Sequence, residues 1–527
     1  MRLILVLLLM TVSIRALSLG NLKENLSKKV KESLSSAKEN LGKVKTFFKE
    51  GNLLERFKKA TASKFKKLFE KTGISSLGRK LAEIRNKVMD KLRSKFKLSK
   101  EKKAEIDKKL KEIEERQDDN VEHLEGTVYG INTRNNVGRN LFQSDLLLTK
   151  RQTEEIMDSV EDDGQRSKRQ AFKDAAYPNT TWLGGVVFYR FDESADYFSR
   201  KVFEIATRQW QEASCIDFTW DKDNKAENSI VLIKEEGCWS YVGRVGGEQP
   251  LSLGDGCDQA GIAAHELGHA LGLFHTMSRY DRDTFITPVI ENVEEGFVDQ
   301  YIKETPETTS NYGYTYDYGS IMHYGASSAS HNKKPTMVAN DTKYQESMGS
   351  QILSFIDKSM INDHYNCKAK CPKDKSAQCQ NGGFPHPRNC SECICPSGYG
   401  GALCNERPKG CGQTYMAKET KQFLIDRLGF PSNVRDEYTF CNHWIEAPQG
   451  KKIEVKISSI SYGFAHDGCI LGGVEIKSSK DQIPTGYRFC SHNDRNTVLV
   501  SGSNRVPVIT FNRFNQQQVI LEYKIAQ

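Results

Sequence analysis

The spacing of apolar residues predicts long amphipathic helices in the first part of the chain. From Leu22 to about Glu115, apolar side chains recur at helical intervals, and Lys and Ser fill the positions between them. This stretch contains neither Pro nor Cys. Residues 1–17 differ, because an early Arg2 precedes an apolar run that is too short to span a bilayer and ends near small residues. That combination is typical of a secretory signal peptide.

Mixed periodicities predict an α+β region in the middle of the chain. The apolar runs Val186–Tyr189 and Ser229–Ile233 have the length and composition of strands, whereas Phe203–Glu212 has helical spacing. Residues 260–274 predict another helix, and the Tyr-, Gly- and Ser-rich residues 309–330 predict loops. A chain of 527 residues is too long for one core, so about two to four domains are expected.

The last part of the chain is predicted to be all β. Five short segments have strand composition, namely Ile453–Ile457, Val474–Ile476, Thr497–Val500, Val508–Phe511 and Val519–Tyr523. Upstream of them, residues 371–404 contain six Cys in a stretch too small to be held together by apolar burial. Disulfides must therefore stabilise that stretch.

The cysteines indicate an oxidising compartment. Fourteen Cys fall into groups of four, six and four, within residues 215–367, 371–404 and 411–490. Even groups indicate three separately cross-linked modules, although spacing alone leaves the pairing open. N-glycosylation sequons stand at Asn25, Asn179, Asn340 and Asn389. No segment after the first 17 residues approaches transmembrane length, so we expect a secreted, extracellular protein without a transmembrane segment.

The positive charge is concentrated in the first part of the chain. Residues 18–100 hold 24 Lys and Arg against 8 Asp and Glu, an excess of 16, whereas the whole chain has a formal net charge of +8. The remaining residues are therefore net acidic. A basic amphipathic stretch of this kind can serve as a lasting arm for a membrane surface, matrix or glycosaminoglycan.

A second interpretation makes the basic stretch a removable propeptide. The tract Arg166-Ser167-Lys168-Arg169 is typical of furin-type convertase sites and stands just before the cysteine-bearing part. Cleavage after Arg169 would remove residues 18–169 and leave Gln170 as the new N-terminus. Because that removal takes away the basic patch, we expect no nucleic-acid partner.

The most informative segment runs from His265 to His275 and has the pattern H-E-x-x-H-x-x-G-x-x-H. On a helix, His265 and His269 share one face and can bind one metal ion. Gly272 can end the helix with a positive φ, so that His275 supplies a third nitrogen. Three nitrogens leave one tetrahedral position open for water, as in catalytic zinc sites. Glu266 is placed to take a proton from that water.

Two histidines at this spacing also occur as exposed residues or as a satisfied core pair, so the flanking motifs matter. The zinc motif continues through Arg279–Asp283 as R-Y-D-R-D and is followed by S-I-M-H-Y at Ser320–Tyr324. These segments resemble the astacin family of metzincin metalloendopeptidases, and Gly237–Gly243 looks like the edge-strand segment of that family. The resemblance covers about residues 140–527.

The resemblance implies a domain order typical of nematode astacins. An α+β, metzincin-type protease domain is expected at 170–367, after a helical propeptide at 18–169. A small disulfide-rich EGF-like module at 368–405 and an all-β CUB-like sandwich at 411–527 are expected to follow it.

The resemblance also assigns roles at the site. It implies one Zn²⁺ bound by His265, His269 and His275, with Glu266 as general base and then acid. Tyr324 would stabilise the oxyanion, and Met322 would form the apolar floor beneath the metal.

The segment Asn140–Leu146 resembles the inhibitory F-x-G-D motif of astacin propeptides, with Ser144 in place of Gly. The resemblance implies that Asp145 ligates zinc until the propeptide leaves. Thr276 stands where many astacins have a Glu that contacts the mature N-terminus, so that contact is not expected here.

The resemblance further implies the disulfide pairs. These are Cys215–Cys367 and Cys238–Cys257 in the protease domain, Cys371–Cys390, Cys379–Cys393 and Cys395–Cys404 in the EGF-like module, and Cys411–Cys441 and Cys469–Cys490 in the CUB-like module.

The function expected from the sequence is that of a secreted zinc metalloendopeptidase, made as a zymogen. By family analogy its substrates are extracellular proteins of matrix, cuticle or eggshell. The alternative is an adhesion protein with a vestigial protease domain. The full set of three histidines, Glu266, Met322 and Tyr324 favours the enzyme.

Overall fold

The computed structural model describes residues 93–94, 96–116, 126–154, 171–172, 177–304, 309–431, 433–461 and 465–527. The predicted signal peptide, most of the basic helical stretch, the sequon at Asn25 and the tract at 166–169 lie outside the described residues. Within the described ranges, no helix is long and apolar enough to cross a membrane.

The elements of the described residues follow in chain order. Helices α1–α5 are Lys100–Glu114, Val128–Arg134, Tyr197–Glu212, Ala260–Ala270 and Phe355–His364. Strands β1–β10 are Leu146–Leu147, Ala171–Phe172, Val186–Phe191, Asp217–Trp220, Ser229–Ile233, Cys238–Tyr241, Glu248–Leu253, Ile286–Pro288, Thr309–Ser310 and Met337–Ala339. Strands β11–β21 are Phe384–His386, Asn389–Ile394, Thr414–Met416, Gln422–Gly429, Thr439–Glu446, Ile453–Ser461, Gly472–Ile476, Tyr487–Phe489, Val498–Val500, Arg505–Asn512 and Gln516–Ile525.

A mixed sheet forms the centre of the middle region, with the strand order β1-β6-β7-β5-β3-β4. Strands β4, β3, β5 and β7 run parallel, and β6 returns antiparallel to β7. Strand β5 is buried along its whole length, as expected for a parallel strand covered on both faces. Beside β6 lies β1, which comes from before the predicted cleavage tract and pairs with β6 in parallel.

Helix α3 begins six residues before the predicted start at Phe203. Its first turn carries exposed aromatic side chains, but Asp196 caps it by accepting a hydrogen bond from the backbone N–H of Ser199. Val202 and Trp210 lie on its buried stripe. The capping residue, rather than the apolar pattern, therefore sets the start of this helix.

Helix α4 is buried on every side. It ends at Ala270, before the predicted end at residue 274, because Gly272 adopts a φ of 107°. There the N–H of Leu273 bonds to the carbonyl of Gly268 and the N–H of Gly272 to that of His269. This left-handed turn ends the helix and redirects the chain toward the sheet.

Residues 411–527, called here the C-terminal module, form two antiparallel-rich sheets. Their orders are β13-β15-β20-β17-β18 and β14-β21-β16-β19. Inward-facing residues such as Val455, Ile457, Val508 and Leu521 form one buried core between the sheets. The five strands predicted from the sequence are present, four of them longer than predicted. Four further strands of the module had no prediction, namely Thr414–Met416, Gln422–Gly429, Thr439–Glu446 and Tyr487–Phe489.

The region between the two larger parts contains the hairpin β11–β12. The structure contains seven disulfides, which are the pairs that the resemblance implies: Cys215–Cys367, Cys238–Cys257, Cys371–Cys390, Cys379–Cys393, Cys395–Cys404, Cys411–Cys441 and Cys469–Cys490. All fourteen cysteines lie within the described residues, and none of them is left free. Each disulfide stays within one of the three sequence groups.

The described residues 93–94, 96–116 and 126–154, called here the N-terminal segment, pack on the middle region. In α1, Ile106 and Ile113 are buried against Val289 and Val338. The Nζ of Lys109 donates to the carbonyl of Asn340. Part of the apolar face that the amphipathic periodicity predicts therefore packs against the middle region of the same chain.

Candidate metal centre

The three histidines of the zinc motif converge on one buried point. His265 and His269 project from one face of α4, and the turn at Gly272 brings His275 to them. The Nε2 atom of His265 lies 3.0 Å from that of His269 and 3.2 Å from that of His275. Helical spacing and a glycine turn therefore assemble three nitrogen donors.

The opposite ring nitrogens define which atoms face the centre. Each Nδ1 lies 2.7 Å from an oxygen: the carbonyl of Ile321 for His265, the carbonyl of Leu273 for His269, and Oε1 of Gln143 for His275. Because these oxygens accept, each Nδ1 carries the proton and each Nε2 presents a lone pair inward. Burial also lowers the pKa of His275 to about 3, which favours the neutral imidazole.

Asp145 completes the cluster from the N-terminal segment. Its Oδ2 lies 3.1 Å from Nε2 of both His265 and His275, and 3.7 Å from Nε2 of His269. Three lone pairs and a carboxylate oxygen thus face one another away from water. Such a gathering of acceptors is unfavourable unless a cation lies among them. Nitrogen donors with one carboxylate suit zinc, so the donor set fits the metal.

Glu266 is buried beside this centre. Burial raises the pKa of its carboxyl well above the ordinary value, and the negative charge of Asp145 raises it further. Within the described residues, neither of its side-chain oxygens has a hydrogen-bond partner. A buried carboxyl group with a shifted pKa beside a cluster of ligand atoms is a candidate for proton transfer.

The phenol of Tyr324 reaches the same point. Its Oη lies 2.7 Å from Oδ2 of Asp145 and 2.7 Å from the carbonyl oxygen of Gln143, to either of which it donates. Its ring centroid is 4.3 Å from that of His275. Burial, followed by the charge of Asp145, raises the pKa of Tyr324 well above the ordinary value. The phenol therefore stays protonated and remains a donor.

Met322 lies beneath α4 and is fully buried. A Cβ at Gly268 would lie 2.6 Å from its sulfur, so only glycine at that helical position lets the methionine approach. Gly268, one of the variable positions within the zinc motif, is therefore required by packing. The zinc motif itself leaves this position unspecified.

Thr276 takes part in a polar network instead of an ion pair. Its hydroxyl donates to Oγ of Ser320 at 2.9 Å, and Ser320 donates to Oδ1 of Asp357 at 2.6 Å. Oδ2 of Asp357 accepts from the backbone N–H of Ile321 at 2.9 Å. The network ties the chain after the third histidine to the turn that contains Met322.

The N-terminal segment holds Asp145 in place through a strained turn and a buried amide. Gln143 and Ser144 have φ values of 46° and 75°, which residues with a Cβ rarely adopt. Asn132 donates to the carbonyls of Ser144 and Cys238, and its Oδ1 accepts from the N–H of Cys238. Beyond the turn, β1 pairs with β6 and covers that edge of the sheet.

The predicted sequons differ in their surroundings. Asn179 and Asn389 are exposed. The side-chain Nδ2 of Asn340 donates to the carbonyl of Thr284 at 2.7 Å, so its amide already has a partner in the fold.

Sequence reasoning missed Asn132, Gln143 and Asp357 as contributors to the site. Gln143 stood inside the predicted inhibitory segment, two positions before Asp145, and that proximity was its only signal. Asp357 is the third residue after Ser354 in a capping box. That signal marks a helix start and says nothing about the metal centre.

Three histidine nitrogens with an adjacent glutamate define the class of zinc hydrolases with a single catalytic metal. Residues 174–366 match the model of the peptidase family described as Astacin.

Zinc metalloproteinase nas-31 of Caenorhabditis elegans is 48% identical over 420 residues, which cover 79% of this chain and 68% of that protein. Zinc metalloproteinase nas-32 of the same organism is 37% identical over 404 residues, covering 75% of this chain and 60% of that protein. A solved structure of High choriolytic enzyme 1, a hatching enzyme zinc-protease from Oryzias latipes, is 29% identical and covers 37% of this chain and 94% of that chain, with a TM-score of 0.32. The chain belongs to the astacin family of zinc metalloproteinases, and its cofactor is one catalytic zinc.

Proposed function

We propose that the chain is the zymogen of a secreted zinc metalloendopeptidase that hydrolyses extracellular proteins of matrix, cuticle or eggshell. The observation that carries the proposal is the position of Asp145. Its Oδ2 lies within 3.1 Å of two histidine nitrogens and 2.7 Å of the Tyr324 hydroxyl. The catalytic groups are assembled, and a residue from before the predicted cleavage tract occupies the point at which they meet.

His265, His269 and His275 would hold the zinc, with Asp145 as a further ligand before activation. Bound zinc supplies a Lewis acid that polarises the peptide carbonyl and lowers the pKa of water. Glu266 accepts the proton of the attacking water and passes it to the leaving amine.

Tyr324 supplies the second stabilising contact. Its protonated phenol donates to Oδ2 of Asp145 before activation. After Asp145 leaves, the same hydroxyl donates to the oxyanion that develops on the substrate carbonyl. The Asp145 carboxylate thus imitates the negative charge that the site is built to stabilise.

The N-terminal segment covers the metal centre with Asp145 and the edge of β6 with β1, so its removal would activate the enzyme. Cleavage after Arg169 by a furin-type convertase separates residues 18–169 from the rest and lets Asp145 and β1 leave. Strand β6 then becomes a free sheet edge, and an extended substrate can pair with it. Gln170 is the proposed mature N-terminus.

The remaining assignments are part of the same proposal. Residues 368–405, with the hairpin β11–β12 and three disulfides, form an EGF-like module. The two-sheet C-terminal module is CUB-like, and both make contacts with substrates or matrix. Secretion through residues 1–17 is supported by seven disulfides with no free cysteine. Asn179 and Asn389 are the exposed glycosylation candidates.

The test is hydrolysis of casein or gelatin by the purified protein after convertase treatment. N-terminal sequencing should find Gln170 at the start of the active form, and a zinc chelator should abolish the activity. The matched control is Glu266→Ala, which keeps the three histidines. Equal activity in that variant would refute the mechanism and favour a vestigial protease domain. An active form that begins near residue 18 would refute the propeptide assignment.

A further inference from the structure

A recess opens beside the metal centre, next to His265 and Tyr324. Its outer wall consists of two loops, residues 325–328 after the turn that contains Met322 and residues 349–351 before α5. The loops touch, since a Cβ at Gly349 would lie 2.8 Å from the Cα of Gly325. In the full chain, Thr127, Val128 and Tyr129 of the N-terminal segment line the same recess. It is therefore a place that opens to substrate when that segment leaves.

The first of these loops is held by a carboxylate of the C-terminal module. Oδ2 of Asp467 accepts from the backbone N–H of Ser327 at 2.8 Å and from its hydroxyl at 2.5 Å. Hydrogen bonds to a charged acceptor are stronger than neutral ones. Asp467, 140 positions away in the sequence, thus fixes the loop that follows Tyr324.

The next residue brings the C-terminal module against the second loop. Gly468 has a φ of 73°, and a Cβ there would lie 2.1 Å from the carbonyl carbon of Gly349. Only glycine allows both the conformation and the approach. The backbones of the two parts are therefore in direct contact at the wall of the recess.

A buried arginine of the C-terminal module fixes the second loop independently. Nη1 of Arg488 donates to Oγ of Ser350 at 2.5 Å, and its backbone N–H donates to Oγ of Ser347 at 3.1 Å. The guanidinium is oriented by Glu475, whose Oε2 lies 3.1 Å from Nε, and both side chains are only 3% exposed. A paired, buried guanidinium is a rigid donor, so Ser350 has little freedom to move.

We propose that Asp467 and Arg488 are positioning residues that shape the substrate recess. The C-terminal module thereby selects which side chain next to the scissile bond the enzyme accepts. The proposal rests on the endopeptidase function proposed above. It assigns the module a role inside the cleft, in addition to any contact with distant parts of a substrate. Neither residue touches the reacting atoms, and both act through the loops that they hold.

The test compares Asp467→Ala, Asp467→Asn and the unaltered chain, each expressed at full length and then activated. Glu454→Gln is the matched control, since Glu454 is an acidic residue of the same module in a surface ion pair with Lys524. Each protein is assayed on peptides that differ only in the residue after the scissile bond. For the preferred peptide, Asp467→Ala should lower kcat/KM about tenfold and change the order of preference. Asp467→Asn keeps an acceptor for the Ser327 N–H and should therefore lose less kcat/KM than Asp467→Ala.

Hydrogen exchange measured by mass spectrometry provides a readout that needs no activity. In the full-length chain, Asp467→Ala should speed exchange in residues 325–328 and 349–351, whereas Glu454→Gln should not. An unchanged order of preference in Asp467→Ala would overturn the proposal, as would unchanged exchange. If Asp467→Ala is not secreted, Ser347→Ala makes the same test, because it removes the acceptor of the Arg488 backbone N–H without changing a residue that lines the recess. If the unaltered protein cleaves no peptide, the endopeptidase function fails, and the exchange result still decides whether Asp467 holds the loops.

Discussion

Nδ1 of His275 lies 2.7 Å from Oε1 of Gln143, so a residue of the N-terminal segment orients the third histidine of the metal centre. His265 and His269 are oriented instead by the carbonyls of Ile321 and Leu273, which belong to the same fold as the histidines. The segment therefore both covers the centre and supports one of its ligands. On the activation proposed above, the precursor and the mature enzyme should hold zinc with different strength.

Replacing Gln143 by Met keeps the length of the side chain and removes its acceptor. Without a partner at Nδ1, the imidazole of His275 can change tautomer or rotate. Zinc should pass from the precursor to a colorimetric chelator about 10- to 100-fold faster. The control is Gln152→Met, because Gln152 is another buried glutamine of the segment and donates to the carbonyl of Val242. Equal rates in the two variants would contradict the role given to Gln143.

Replacing Asp145 by Ala should weaken the block before any cleavage occurs. The substitution removes the carboxylate that accepts from Tyr324 at 2.7 Å, a charge-assisted bond worth about 1.5–3 kcal/mol. Uncut Asp145→Ala precursor should therefore hydrolyse a fluorogenic peptide about 10- to 100-fold faster than uncut unaltered precursor. Arg169→Ala in both proteins prevents adventitious activation. A variant that stays as silent as its parent would show that β1 and the rest of the segment suffice for inhibition.

The convergence of the three histidines could be predicted from the sequence because their spacing is local. His265 and His269 are one helical turn apart, and Gly272 supplies the turn that brings in His275. Periodicity predicted β5 with its correct bounds, since a buried parallel strand is apolar throughout. Membership in the astacin family, suggested by the segments after the zinc motif, is confirmed by the comparison with its relatives.

The residues that hold the site together could not be predicted, since their contacts join distant parts of the chain. Asn132 acts on Cys238 across 106 positions, and Asp467 acts on Ser327 across 140. Neither residue has a motif, because its function depends on where folding brings its partner. The start of α3 at Tyr197 was missed for a simpler reason: a capping aspartate and an exposed first turn leave no apolar pattern.

Ser144 should be replaceable by Gly with a gain in stability of the precursor. Its φ of 75° is unfavourable for a residue with a Cβ, at a cost of about 1–2 kcal/mol. Its hydroxyl is buried without a hydrogen-bond partner in the part of the chain that the structure describes, which adds a desolvation cost. Ser144→Gly should therefore raise the Tm of the precursor by a few degrees. Asn140→Gly, in the same segment, is the control for the entropy of an added glycine. A lower Tm for Ser144→Gly would show that the strain is not relieved.

Asp357 should make the stability of the fold depend on pH. Burial, and next the charge of Asp317, raises the pKa of its carboxyl to about 6, against an ordinary value of about 4. A carboxyl with a raised folded-state pKa contributes stability that is fully present below about pH 4 and is lost as the pH rises through about 6, by about 3 kcal/mol in total. Asp357→Asn removes this titration and can still accept at Oδ1. The Tm of the unaltered protein should therefore fall relative to that of the variant between about pH 4.5 and about pH 7.5. The exposed Asp223→Asn serves as control, and parallel Tm curves for the unaltered protein and Asp357→Asn would contradict the prediction.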